Sequence, residues 1–99
     1  MQLHKPLITI VCPVYNEQDS IPIFYERLRL VMERLKDRYD YQLLFTNNRS
    51  TDRTPERIHA LNKADPNVEM LMLSRNFGYQ ASVLSGLTYA RGDIIAVIE

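Results

Sequence analysis

The chain has 99 residues, of which 45% are apolar, enough for one small core and too few for two domains. Twelve basic and twelve acidic residues cancel, so no long-range field favours nucleic acid or an anionic membrane surface, and a charged ligand must be held by local groups. The single cysteine, Cys12, has no second thiol to pair with, which favours an intracellular, cytoplasmic setting, and no apolar run approaches bilayer-spanning length.

Leu7 to Cys12 (LITIVC) is continuously apolar and rich in β-branched residues, the pattern of a strand covered on both faces, and Pro13 is expected to end its pairing. From Ser20 to Lys36, Phe24, Leu28, Val31 and Leu35 recur three or four apart and predict one face of a helix. Asp19 or Ser20 is placed to cap it, and Glu26, Arg27, Glu33, Arg34 and Lys36 are left for water. Tyr41 to Thr46 reads as a second strand. Thr54-Pro55-Glu56 reads as a helix start, since Thr can cap, Pro is tolerated at the first helical position and Glu suits the positive end. That helix should run to about Ala64, ahead of Asp65-Pro66-Asn67. Val68 to Leu73 predicts a third strand. Gly78 to Ala90 predicts a third helix carrying Val83, Leu84, Leu87 and Ala90, and Arg91-Gly92-Asp93 turns into a last strand, Ile94 to Ile98.

The order β-α-β-α-β-α-β implies right-handed crossovers and an α/β fold, a mainly parallel sheet with helices on both faces. In such sheets ligands gather beyond the carboxyl ends of the strands. Three loops lie there, Pro13 to Asp19, Asn47 to Arg53 and Ser74 to Gly78, and a fourth would follow Glu99. Because the chain stops one residue past an apolar strand, it is expected to be the front part of a longer protein. The bare sheet edge would then be a template for a homodimer.

The first loop, Pro13-Val14-Tyr15-Asn16-Glu17, offers an aromatic ring beside a proline, a flat apolar wall for a nucleobase, with Asn16 or Glu17 to hydrogen-bond at its edge. A plain strand-to-helix turn accounts for the same residues. No G-x-x-x-x-G-K-[ST] or G-x-G-x-x-G occurs, which argues against a P-loop enzyme or a dinucleotide-binding dehydrogenase. His4 and His59 have no partners at ligand spacing, and the six tyrosines lack the basic stripe that nucleic acid requires.

Taken together, P-V-Y-N-E, N-N-R-S-T-D-R-T, S-R-N-F-G and A-R-G-D-I-I-A-V-I-E, each after its strand or turning into one, resemble the amino-terminal half of family-two glycosyltransferases. The branch of dolichyl-phosphate mannose synthase and the polyprenyl-phosphate sugar transferases is the most similar. The resemblance runs from Leu7 to Glu99 and implies the Rossmann-like, nucleotide-binding half of a GT-A fold, with a separate acceptor-binding half outside these residues. It implies transfer of a sugar from a UDP- or GDP-linked donor to a lipid phosphate or a saccharide, at the cytoplasmic face of a membrane for the lipid acceptors. A Mg²⁺ or Mn²⁺ ion would sit at a D-x-D motif.

Carried over by position, Pro13, Tyr15 and Glu17 would border the base and ribose, Asn47 and Asn48 would stand where the family has two aspartates, and Arg75 would reach towards the nucleotide. Glu99 would hold the first acidic position of D-x-D, an incomplete metal site. With neither the second acidic residue nor the family's general base in the sequence, the chain is expected to be inactive alone and to bind no metal. Asparagine both donates and accepts, so Asn47-Asn48 suit a base edge of mixed polarity; an Asx turn serving the loop itself explains one of the two equally well. Ser50, Thr51 and Asp52 are expected to brace the loop, Phe77 to pack, and Gly78 to permit the turn into the third helix. Arg49 replaces the family's glycine, so its loop is expected to avoid a conformation that only glycine adopts easily.

Overall fold

The computed structural model describes residues 5–98, so His4 and Glu99, both discussed above, lie outside the described residues. Seven elements follow in the expected order: β1 (Leu7–Val14), α1 (Ile21–Leu35), β2 (Asp40–Asn47), α2 (Thr54–Ala64), β3 (Val68–Met72), α3 (Tyr79–Tyr89) and β4 (Ile94–Val97). The strands form one parallel sheet in the order β3-β2-β1-β4. Two crossovers step from β1 to β3 in one direction, and the third jumps back across to the far side of β1. Right-handed connections therefore put α1 and α2 on one face and α3 on the other, where it packs on β1 and β2.

Pro13 does not end the first strand. It pairs with Thr46, and Val14 with Asn47. The C=O groups of Val14 and Val11 accept from opposite neighbours, Asn48 N–H on the β2 side and Ile98 N–H on the β4 side. Alternate residues of a parallel strand face the same neighbour, so Pro13 faces β4, which has already ended at Val97. Its missing N–H falls at the very end of the β1–β4 ladder, so at most one terminal bond is forgone, which is why a central strand tolerates it.

The α1/α2 face holds the apolar core, with Ile10, Cys12, Leu43, Phe45 and Val68 from the strands and Ile21, Met32 and Ile58 from the helices. Phe24 meets Phe45 edge-on, with ring centroids 6.2 Å apart. On α1 the buried row runs Leu28, Met32, Leu35, and Val31 is exposed. A helix turns about 100° per residue, so taking the four-residue step from Leu28 swings Val31 off the core. Burial, with the charge of Glu17 adding to it, pushes the Cys12 thiol up to about 12, which makes it an inert core side chain.

The α3 face is built differently. The residues of α3 that are buried are Ser82 and Gly86, while Leu84 is 64% exposed and Leu87 also faces outward. Beneath them lie Thr9, Val11, Gln42, Leu44 and Thr46. Ser82 Oγ donates to Thr46 Oγ1 at 2.7 Å, and Thr9 Oγ1 donates to Gln42 Oε1 at 2.6 Å. At the amino end of the sheet Arg91 makes a two-pronged ion pair with Glu69, and its N–H donates to Gln42 Oε1. Asp93 accepts from Leu7 N–H at 2.9 Å, so the turn into β4 is fixed by polar contacts.

The expected caps are also rearranged. Ser20 stands at the cap position of α1, but its Oγ donates to Glu17 Oε1 at 2.7 Å and makes no bond to the helix. The Thr54 hydroxyl accepts from Glu17 N–H, and Asp52 Oδ1 accepts the Thr54 N–H at 2.9 Å, while Arg53 stands at the cap position of α2 and makes no side-chain bond to the helix. At the other end of α2, Asp65 Oδ2 accepts the hydroxyls of both Tyr25 and Tyr41.

Candidate functional site

The strand order places a topological switch at β1, where the crossovers diverge, and a crevice of about 290 Å³ opens beyond its carboxyl end. Pro13, Val14 and Tyr15 line one side, Asn76, Gly78 and Tyr79 the other, with Asn48 between them. Tyr15 is 43% and Tyr79 47% exposed, so two aromatic rings stand at its rim. Two flat rings and a proline form a surface on which a planar heterocycle gains contact area without desolvating charge. A larger hollow beside α2, about 410 Å³ between Pro55, His59, Lys63 and Met70, has no such meeting of loops.

The three loops around the crevice are laced together. Asn16, at φ 52°, accepts through Oδ1 from the N–H of Thr51 (2.8 Å) and Asp52 (3.3 Å), donates through Nδ2 to Thr51 Oγ1, and gives its own N–H to Ser50 Oγ. Gln18 N–H donates to Asp52 Oδ2, and Arg53 N–H to Gln18 Oε1. Ser50, Thr51 and Asp52 thus brace the loop as expected.

The two asparagines have separate roles. Asn47 is fully buried; its Oδ1 accepts the N–H and the hydroxyl of Ser50, and its Nδ2 faces Met70 Sδ at 3.5 Å. It sits behind the crevice, draws the loop back through the N–H three residues on, and offers a ligand no surface. Asn48 is only 6% exposed, lines the crevice, and accepts the Phe77 N–H through Oδ1 at 3.1 Å, which ties the third loop to the second.

Glu17 opens on an adjoining recess of about 280 Å³ shared with Cys12, Ser20, Ile21 and Phe24; Pro13 and Val14 form the wall between the two hollows. Arg75 lies over the Phe77 ring, 4.6 Å from its centroid, and Phe77 is exposed instead of packed. Gly78 has φ +94°, as a sharp entry into α3 demands. Arg49, contrary to expectation, adopts the left-handed conformation at φ 64°. The loop imposes it, because Asn47 must turn back to receive Ser50. Left-handed backbone costs a side-chain-bearing residue about 1–2 kcal/mol. Glycine's extra freedom in the unfolded chain takes back about 0.5–1 kcal/mol of this, so Arg49→Gly is expected to raise the melting temperature by no more than about 4–8 °C; a fall would mean that the guanidinium makes a contact worth more than the net relief.

Among the described residues no three His, Cys, Asp or Glu side chains cluster as metal ligands. Glu99, the one acidic residue the sequence offers for a D-x-D position, lies outside the described residues. Signals for the crevice were present in Pro13, Tyr15 and Asn48, and Asn76 lies in the third loop expected at this end; Tyr79 was not singled out, because only the packing of α3 back over β1 brings it there.

The sequence profile described as "Glycosyl transferase family 2" matches residues 9–99. An uncharacterised glycosyltransferase of Bacillus subtilis is 43% identical over 92% of this chain and 28% of its own length. A prophage bactoprenol glucosyl transferase homologue of Escherichia coli is 42% identical over 93% of this chain and 29% of its own length. An undecaprenyl-phosphate 4-deoxy-4-formamido-L-arabinose transferase of Yersinia pestis is 29% identical over all of this chain and 31% of its own length. The chain thus spans less than a third of these relatives. Among solved structures, a mannosyltransferase of Pyrobaculum calidifontis in complex with GDP-mannose and Mn²⁺ superposes with a TM-score of 0.65 at 23% identity, over 93% of this chain and 26% of that one, a match of fold.

Proposed function

The chain belongs to glycosyl transferase family 2, and from that premise we propose that it forms the donor-nucleotide site of an enzyme passing a sugar from a nucleotide-sugar to a polyprenyl phosphate. The observation that carries this reading is the aromatic-rimmed crevice at the switch point, walled by the loops through which the chain resembles the family. The base lies against Pro13 and Tyr15 with its edge at Asn48. Arg75, on an exposed loop, leaves the Phe77 ring to meet the diphosphate, and Glu17 borders the ribose from the adjoining recess. Asn47 supports the site from behind. The polyprenyl-phosphate acceptor is inferred from the names of the relatives, and it would place the reaction at a membrane face. Among the described residues no helix is long and apolar enough to cross a membrane.

The crevice lining contains no carboxylate, imidazole or ammonium group, so these residues supply binding and orientation. Sugar transfer by the 99-residue chain is expected to be undetectable. Binding is read by thermal melting with UDP, GDP and their sugar conjugates, with and without Mn²⁺. At one hundred times Kd a ligand adds about 2.7 kcal/mol, a shift on the order of 10 °C or more in a domain of this size. Tyr15→Ala should remove the shift and leave the unliganded melting temperature nearly unchanged. A folded protein that no nucleotide stabilises would sink the proposal.

A second reading has its own observation. Ile94, Ile95 and Val97 on β4 are exposed, and β4 is an edge of the sheet, so two copies can pair there. Sedimentation as a dimer, with melting that depends on concentration, would favour it; a monomer at all concentrations would remove it.

A further inference from the structure

We infer that Asn48 reads the nucleobase as a hydrogen-bond donor, so that the site does not require an imide N–H on the base and takes cytosine nucleotides as readily as uracil nucleotides. This rests on the crevice being the nucleotide site. The orientation of the Asn48 amide is settled by chemistry: Phe77 N–H can only donate, so the atom it meets at 3.1 Å must be Oδ1. Nδ2 then points the other way. No buried side-chain polar atom of the described residues lacks a partner, and Nδ2 of Asn48 has none among their hydrogen bonds. The hollow that Asn48 lines is the crevice between Pro13, Tyr15 and Tyr79, and Nδ2 is the side-chain group that no other described residue engages there.

An aspartate here would also accept from Phe77, but would turn its second oxygen to the base. That oxygen accepts, and it selects a base with N–H at its ring nitrogen, such as N3–H of uracil. An amide –NH₂ selects the opposite polarity, a carbonyl oxygen or a bare ring nitrogen. Uracil offers O2 and O4, and cytosine offers O2 and N3, so neither is rejected. The crevice lining adds no carboxylate to compensate.

The test is calorimetric titration of the chain with UDP, CDP and UDP methylated at N3, repeated on Asn48→Asp, which keeps the acceptor for Phe77 N–H. In the unaltered protein UDP and CDP should bind within about threefold of each other. In Asn48→Asp UDP should be preferred by tenfold or more, with CDP and the N3-methyl compound rejected alike. A tenfold preference for UDP in the unaltered protein, or a UDP-to-CDP ratio unmoved by Asn48→Asp, overturns the inference while leaving the nucleotide site in place. Binding of none of the three removes the nucleotide site and this inference with it. The unaltered protein's ratio needs no variant, so the result stands even if Asn48→Asp folds poorly.

Discussion

Gly86→Val is expected to lower the melting temperature by about 12–24 °C, from a loss of about 3 kcal/mol. A Cβ at position 86 would stand 2.4 Å from Val11 Cγ1 and 2.9 Å from Thr46 Cγ2, and Val11 is fully buried in the central strand. Neither neighbour has a free end to move, since both are β-branched and stiff at χ1. The valine must push α3 away from the sheet, separating Ser82 from Thr46 and carrying Gly78 and Tyr79 away from the crevice. Gly86→Ala meets the same first contact but gains about 1 kcal/mol of helix propensity, so its loss should be smaller. Leu84→Ser, on the exposed side of the same helix, should change little. If Gly86→Val melted with the unaltered protein, the close approach of α3 would be wrong.

Asp65→Ala is expected to cost about 2 kcal/mol, or roughly 8–16 °C. One carboxylate oxygen receives the hydroxyls of Tyr25 from α1 and Tyr41 from β2, and the other receives Asn67 N–H at 2.9 Å. Three elements are thereby joined at the end of the sheet opposite the crevice. Burial raises the Asp65 pKa, but the bonds from Tyr41, Tyr25 and Asn67 outweigh it and hold the carboxyl below its usual value of 3.8. Burial, and then the bond to Asp65, raise both phenols above their usual 10.

The signs give a pH window. A carboxyl depressed in the folded state contributes stability that is complete above its unfolded pKa and is lost as pH falls through the folded value, so this contribution fades below about pH 4. The raised phenols contribute stability that is complete below about pH 10 and lost above it. Denaturant titrations across pH should show both limbs, and Asp65→Asn should flatten the acid one. An unchanged acid limb in that variant would assign the effect to other carboxylates such as Glu69, which Arg91 depresses.

Polypeptide order and local pattern carried most of the architecture. Seven elements lie within two residues of their expected bounds, since short β-branched runs and periodic apolar residues bounded by Pro, Gly and Asp define elements before any long-range contact forms. The parallel sheet follows, because the handedness of crossovers leaves few alternatives. Pro13 misled for a topological reason: whether a proline breaks a ladder depends on which neighbour its missing N–H faces, and strand order is not local. Hydropathy placed Leu84 and Leu87 on α3, but Ser82 and Gly86 are buried because α3 packs tightly on a sheet face rich in Thr and Gln.

At the crevice the sequence determined which residue types were present, a proline, two tyrosines and paired asparagines between apolar strands. Tertiary structure alone decided their division of labour. Asn47 and Asn48 are adjacent and chemically identical, yet the pleat turns them apart: one closes onto Ser50 inside the loop, and the other receives Phe77 from 29 residues further on. A side chain's free donor or acceptor is what remains after its protein partners are satisfied, and those partners come from loops that only the folded sheet brings together.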